Sequence, residues 1–185
     1  MELLLGLLGI ALVLGVYVAI VYNGLISKKN LADEAFSGMD VQLKRRSDLI
    51  PNLIETVKGY MTHERGTLEK VTEYRARAQS AQNPEDRFKA ESALSGLIGN
   101  IMVVSENYPD LKASSNFNSL QSELASTEDQ IQLARRYYNG AARDLNIAIE
   151  QFPSNIIAKQ FNFALRPYFE IEDAKDRETP KVSFQ

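Results

Sequence analysis

His63 and Glu64 come closest to a chemical motif, since His-Glu opens the H-E-x-x-H helix of zinc proteases, in which two imidazoles one turn apart hold the metal. Here the fifth position is Thr67 and the chain has a single histidine, so the second ligand is missing and the motif fails. Without cysteine there is no thiolate nucleophile, no Cys-ligated zinc and no disulfide. Gly6-x-x-Gly9 and Gly96-x-x-Gly99 neither follow a strand signal nor carry a phosphate-binding lysine, and helix packing accounts for both. Asp40, Asp48, Glu64 and Asp144 are the carboxylates that could pair for acid–base work or hold a hard cation, but no loop gathers them. A trio of Asp48, His63 and Glu64 is disfavoured by helical rise, which separates positions 48 and 63 by about 22 Å. The expectation is a non-enzymatic protein with no catalytic residue, metal site or cofactor.

The elements that carry these residues are legible from composition and pattern. The chain has 185 residues, with 21 basic and 24 acidic side chains interspersed for a net charge of −3, which offers no cationic field for a phosphate backbone. No nucleic-acid partner is expected. From Leu3 to Ser27 there is no charge, and Leu3–Tyr22 is an unbroken run of Leu, Val, Ile, Ala, Gly and two Tyr. Twenty such residues rise about 30 Å as a helix, the thickness of a bilayer's hydrocarbon core. A cleaved signal peptide would have a basic start, a shorter apolar core and a small-x-small exit; this segment has Met1-Glu2, twenty apolar residues and Ile20-Val21-Tyr22. The reading is an uncleaved single-pass anchor. Every Lys and Arg follows it, beginning with Lys28 and Lys29, which places the N-terminus outside and the remainder in the cytoplasm. Ala11, Gly15 and Ala19, four apart, form a small-residue stripe on one face where a second transmembrane helix can approach closely.

Six prolines, at 51, 84, 109, 153, 167 and 180, read as helix boundaries. The membrane helix is expected to continue into the soluble part until Pro51 kinks or ends it. Asp48 would then cap a new helix running from Pro51 to about Ala81, and Asn52 would bond the backbone groups freed at the junction. Glu64 falls within that helix's apolar stripe as a register-setting polar residue. Asn83-Pro84-Glu85-Asp86 supplies an N-cap, a proline at N1 and acids against the positive end of the dipole, opening a helix with its seam at Ala90, Leu94, Leu97, Ile101, Val104 and Tyr108. From Ser115 to Phe152 the positions 117, 120, 124, 127, 131, 134, 138, 141, 145, 148 and 152 step by 3 and 4, a coiled-coil-like seam of about 55 Å. A short helix capped by Ser154 follows. Lys181–Phe184 is expected to be strand-like or docked after an acidic tail.

At Asp40–Glu64 the chain reads DVQLKRRSDLIPNLIETVKGYMTHE, and at Tyr138–Phe163 it reads YNGAARDLNIAIEQFPSNIIAKQFNF, ahead of a closing PKVSF. With the charge-free N-terminal span, this resembles the LemA family of bacterial membrane-anchored proteins, which includes magnetosome relatives, over nearly the whole length. The resemblance places family-signature residues at Arg46, Asp48, Leu49, Ile50, Pro51, Asn52, Leu53, Val57, Lys58, Gly59, Tyr60, His63 and Glu64, then at Tyr138, Asn139, Phe152, Pro153, Ser154, Asn155 and Phe161. It implies an outside N-terminus and a cytoplasmic bundle of long helices, and no enzymatic activity.

The expectation is therefore an all-α protein, with a tail and transmembrane helix over residues 1–27 and an antiparallel helical bundle over 28–185. As to function, the leading expectation is a bacterial inner-membrane scaffold that self-associates and organises or remodels the membrane or its proteins. Its partners would be lipid, further copies of itself and another membrane protein. The alternative is an adaptor that presents clients to a membrane protease, with an apolar groove beside Tyr60, Met61 or Tyr137.

Overall fold

The computed structural model describes residues 1–61 and 63–170, so the expected strand near Lys181–Phe184 and most of the acidic tail lie outside the described residues. Among the described residues the chain is all-helical: α1 (Glu2–Lys58), α2 (Arg65–Ser80), α3 (Pro84–Ser105), α4 (Pro109–Lys112), α5 (Ser115–Glu150) and α6 (Ser154–Gln160). They form two compact units. The first holds Met1–Gln42 and Asp129–Tyr168; the second holds Leu43–Glu128 with Phe169 and Glu170. Both α1 and α5 contribute to each.

In the first unit the apolar run of α1 is uncovered among the described residues, its side chains from Leu3 to Ile20 being exposed. Past the run, Leu25, Ala32, Ala35 and Met39 turn inward, while α5 contributes Ile131, Tyr138, Ala141, Ala142 and Leu145. Alanine on both helices permits close approach. The Phe36 and Tyr138 rings meet edge-on at 5.7 Å, and Ala148 and Ile149 pack on a cluster of Leu25, Ile157 and Ala158. As α1 numbers fall from 36 to 25, α5 numbers rise from 138 to 149, so the two helices run antiparallel. α6 caps this end. Asn162 takes a left-handed φ of 55°, which Asn tolerates, and the N–H of Phe163 bonds back to the Ala158 carbonyl at 2.9 Å. That turn sets Phe161 and Phe163 against Tyr22, with ring centroids 4.7 and 6.0 Å away. Pro153 rather than Ser154 precedes α6, and the Ser154 hydroxyl lies 2.7 and 2.8 Å from the carbonyls of Ala148 and Gln151. The expected cap therefore closes the end of α5 instead.

The core of the second unit is built from Ile50, Leu53, Val57 and Met61 of α1 and the turn after it, Leu68 and Val71 of α2, Leu94, Ile98 and Ile101 of α3, Leu111, and Phe117 and Leu124 of α5. Asn83 caps α3 as its sequence indicates, its side chain accepting the Asp86 N–H at 2.8 Å. Pro51 does not end the helix: α1 runs through it to Lys58, so there is no new N-terminus for Asp48 to cap. A proline inside a helix removes the N–H that would bond the carbonyl four residues back, here Ser47. Arg75 of α2 fills the vacancy, its Nε donating to the Ser47 carbonyl at 2.8 Å while Gln79 donates to the Ser47 hydroxyl at 3.0 Å. The break falls instead after Lys58, whose charge suits the negative end of the helix. The N–H groups of Tyr60 and Met61 both return to the Val57 carbonyl there. The single helix expected from Pro51 to Ala81 is thus two pieces, and Glu64 lies in the turn before α2 rather than on a seam.

Candidate functional site

The second unit contains a buried ionic centre. Leu43, Arg46, Ile50, Leu53 and Val57 step by 3 and 4 along the inward face of α1, and Arg46 occupies a core position with about 1% of its side chain exposed. On α3, Phe88, Glu91, Leu94, Ile98 and Ile101 make the matching face, with Glu91 at the position facing the guanidinium. Arg46 Nη2 donates to the Glu91 carboxylate at 2.5 Å and to its backbone carbonyl at 3.0 Å. Nη1 reaches the Glu128 carboxylate of α5 at 2.8 Å and also bonds Ser95, whose hydroxyl donates to the other Glu128 oxygen at 3.0 Å. One arginine thereby ties α1, α3 and α5. The two terminal nitrogens of Arg46 are committed to these bonds, and the planar fork orients the three helices.

The first unit has a polar lock around Tyr138. Its hydroxyl donates to the Pro167 carbonyl at 2.8 Å, and Asn146, two turns further along α5, pairs with both backbone groups of Arg166 at 2.9 and 2.8 Å. The Arg166 guanidinium then reaches Asp33 of α1 at 2.5 Å. The non-helical segment after α6 is stitched to α5 by these bonds and to α1 by the ion pair. Burial raises the Tyr138 pKa above the ordinary 10.0 by disfavouring the phenolate; the nearby Arg166 charge opposes this and Asp33 adds to it. The phenol stays a donor throughout the physiological range.

The other signature positions scatter. Leu53 and Val57 are core residues, and Met61 is buried beside them. Lys58, Tyr60 and His63 are exposed around the end of α1, and Asn52 is exposed with its carbonyl accepting the Thr56 hydroxyl. Asp48 is exposed and pairs with Lys44 one turn earlier, an interaction worth only a few tenths of a kcal/mol. Asp144 is likewise exposed and pairs with Arg143. Among the described residues no three His, Asp or Glu side chains are placed to hold a metal ion. Asn139 is half-buried, Phe152 is 73% exposed, Pro153 immediately precedes α6 and Asn155 keeps its Oδ1 buried in its first turn.

Two surfaces stand open in the first unit. The Ala11, Gly15 and Ala19 stripe is exposed, with no atom near the place a Gly15 Cβ would occupy. On α5, Leu133, Tyr137, Gly140, Asp144 and Ile147 step by 4, 3, 4 and 3, and Leu133, Tyr137 and Ile147 are each at least half exposed. The buried seam of α5 thus has an apolar counterpart on its outward face. The seam positions alone do not reveal this face, because its apolar residues are spread among Gln, Arg and Asn.

Comparison with known proteins gives these features a context. The chain is 29% identical to Protein LemA of Metamycoplasma hominis over 154 residues, 81% of this chain and 70% of that one. It is 23% identical to Magnetosome protein MamQ 2 of Paramagnetospirillum magneticum and 22% identical to Magnetosome protein MamQ of Magnetospirillum gryphiswaldense. Each of these two alignments covers 89% of this chain and 69% of the relative. The family model for LemA matches residues 35–184, a stretch that includes the Arg46 centre and the Tyr138 and Asn146 bonds of the lock, and with most of its length so matched the chain belongs to the LemA family.

Proposed function

We propose that this protein is a non-enzymatic, single-pass scaffold of the bacterial inner membrane, which self-associates and organises the membrane or its proteins. The observation that carries the reading is the outward face of α5, where Leu133, Tyr137 and Ile147 line one side of the helix packed directly on the extension of the apolar span. Exposed apolar residues at heptad spacing favour a helical partner, and tethering in one plane raises the effective concentration of weak contacts. The bare face of α1 with Ala11, Gly15 and Ala19 adds a second contact within lipid, where close backbone approach rather than apolar burial drives association. Relatives named for the magnetosome agree with a role at a membrane.

In this reading the N-terminus lies outside and the chain from Lys28 onward is cytoplasmic, since all 21 basic residues follow the span. Fusing reporters after Gln185 tests the orientation: a cytoplasmic reporter should be active and a periplasmic one silent, and the reverse would overturn it. The test of the scaffold itself is the size of the complex extracted from membranes in mild detergent. A homo-oligomer supports it. A hetero-complex with a membrane protease, with no self-association, would favour the adaptor alternative.

A further inference from the structure

Phe152, Ile156 and Phe161 are large apolar side chains left 73, 62 and 49% exposed around α6, where a water-soluble surface would not gather them. Their level along α1 follows from the antiparallel packing. Phe36 meets Tyr138, and from there α5 climbs about 18 Å to its end at Glu150, just short of Phe152, while α1 recedes by the same rise to about Gly24. The contacts agree: Ile157 and Ala158 of α6 pack on Leu25 with Val21 and Tyr22 beside them, and Phe161 and Phe163 touch the Tyr22 ring. Tyr22 is the last residue of the apolar run that matches the hydrocarbon thickness, so α6 sits where that run leaves the bilayer.

We infer that α6 and its flanking turns form an interfacial collar, inserting Phe152, Ile156 and Phe161 into the lipid leaflet through which α1 exits. The inference rests on α1 being a transmembrane anchor. Continuity with the bare face of α1 selects lipid as the occupant: the apolar side chains extend an uncovered hydrocarbon-facing surface sideways at its edge. The backbone is prepared for a poorly hydrated site. The Ser154 hydroxyl lies against terminal carbonyls of α5, and the turn at Asn162 closes α6 through the Phe163 N–H. Polar groups lie at the matching depth, with Lys28, Lys29 and Lys159 exposed to meet phosphate headgroups while Ile157 and Ala158 face the protein. The collar fixes the depth of the anchor and holds the first unit against the membrane surface.

The chain has no tryptophan, so single tryptophans report their surroundings cleanly. Full-length Ile156→Trp and Phe152→Trp would be reconstituted in phosphatidylcholine–phosphatidylglycerol vesicles whose acyl chains carry bromine near the headgroup or near the midplane. Val13→Trp marks the span and Leu133→Trp a surface further from it. The expected result is blue-shifted emission at 152 and 156, quenched more strongly by the shallow bromine, with Val13→Trp quenched more strongly by the deep one and Leu133→Trp by neither. Water-like, unquenched emission at both 152 and 156 while Val13→Trp is quenched would overturn the collar and leave the anchor standing. Failure of Val13→Trp to be quenched would overturn the anchor and the collar with it.

Discussion

Arg46 is more valuable as an organiser than as a source of net stability. Two buried charges lose their hydration, and their attraction roughly offsets that loss, so a well-packed apolar replacement of the pair is often neutral. Removing one partner is different, because the buried Glu91 carboxylate would lose the cation it faces. Arg46→Ala is expected to cost about 3–5 kcal/mol, read as a lower urea midpoint for the detergent-solubilised chain, whereas Arg46→Met combined with Glu91→Met should recover most of the loss. Equal losses in both variants would show that shape rather than charge matters at this position. Tyr138 gives a prediction in pH. Its pKa is raised in the folded state, so the stability it contributes is fully present below the unfolded value of about 10. As pH climbs past that value the unfolded chain releases its proton first, and stability falls. Tyr138→Phe should forfeit about 1 kcal/mol at neutral pH with the Pro167 hydrogen bond, and should flatten the alkaline decline.

At the scale of elements, Pro51 marks how far sequence reasoning reaches. Its local signal, a missing N–H and a steric clash, argues for a helix end, and locality is what fails here. The donor that rescues the helix is Arg75, 28 residues downstream of the Ser47 carbonyl and on another helix, and no spacing rule along one chain segment reveals it. Arg75→Leu should leave the Ser47 carbonyl unpaired at a cost of about 1–3 kcal/mol. In a Pro51→Ala background the alanine N–H restores the bond within α1, so the same change should cost clearly less. Additive losses in that double-mutant cycle would contradict the assignment. Other elements were legible because their determinants are local: the cap at Asn83 and the seam of α5 from Phe117 to Leu145 sit within a few residues of what they organise. The ionic centre was legible in principle, since Arg46 and Glu91 are opposite charges standing at core steps of two apolar faces. In the sequence Arg46 stands beside Lys44 and Arg45, which masks its place on the apolar face. The Asn146–Arg166 pairing left no sequence signal, because its partner is backbone in a segment without periodicity.

For the whole molecule, the proposed scaffold rests on the uncovered apolar run of α1 and the outward-facing stripe of α5. Gly15 tests the membrane contact. The space around its Cβ position is empty within one copy, so Gly15→Leu should fold and insert normally yet shift detergent-extracted complexes toward smaller species. Absence of cysteine makes the central claim directly measurable. Tyr137→Cys places one thiol on the exposed stripe of α5, and a short bismaleimide added to native membranes joins only thiols held close together. The expected result is a dimer band for Tyr137→Cys that is weakened when Ile147→Glu is added, with little product from a cysteine at exposed Lys70. A Tyr137→Cys chain that remains monomeric in native membranes under conditions where its thiol is fully labelled would contradict self-association through α5.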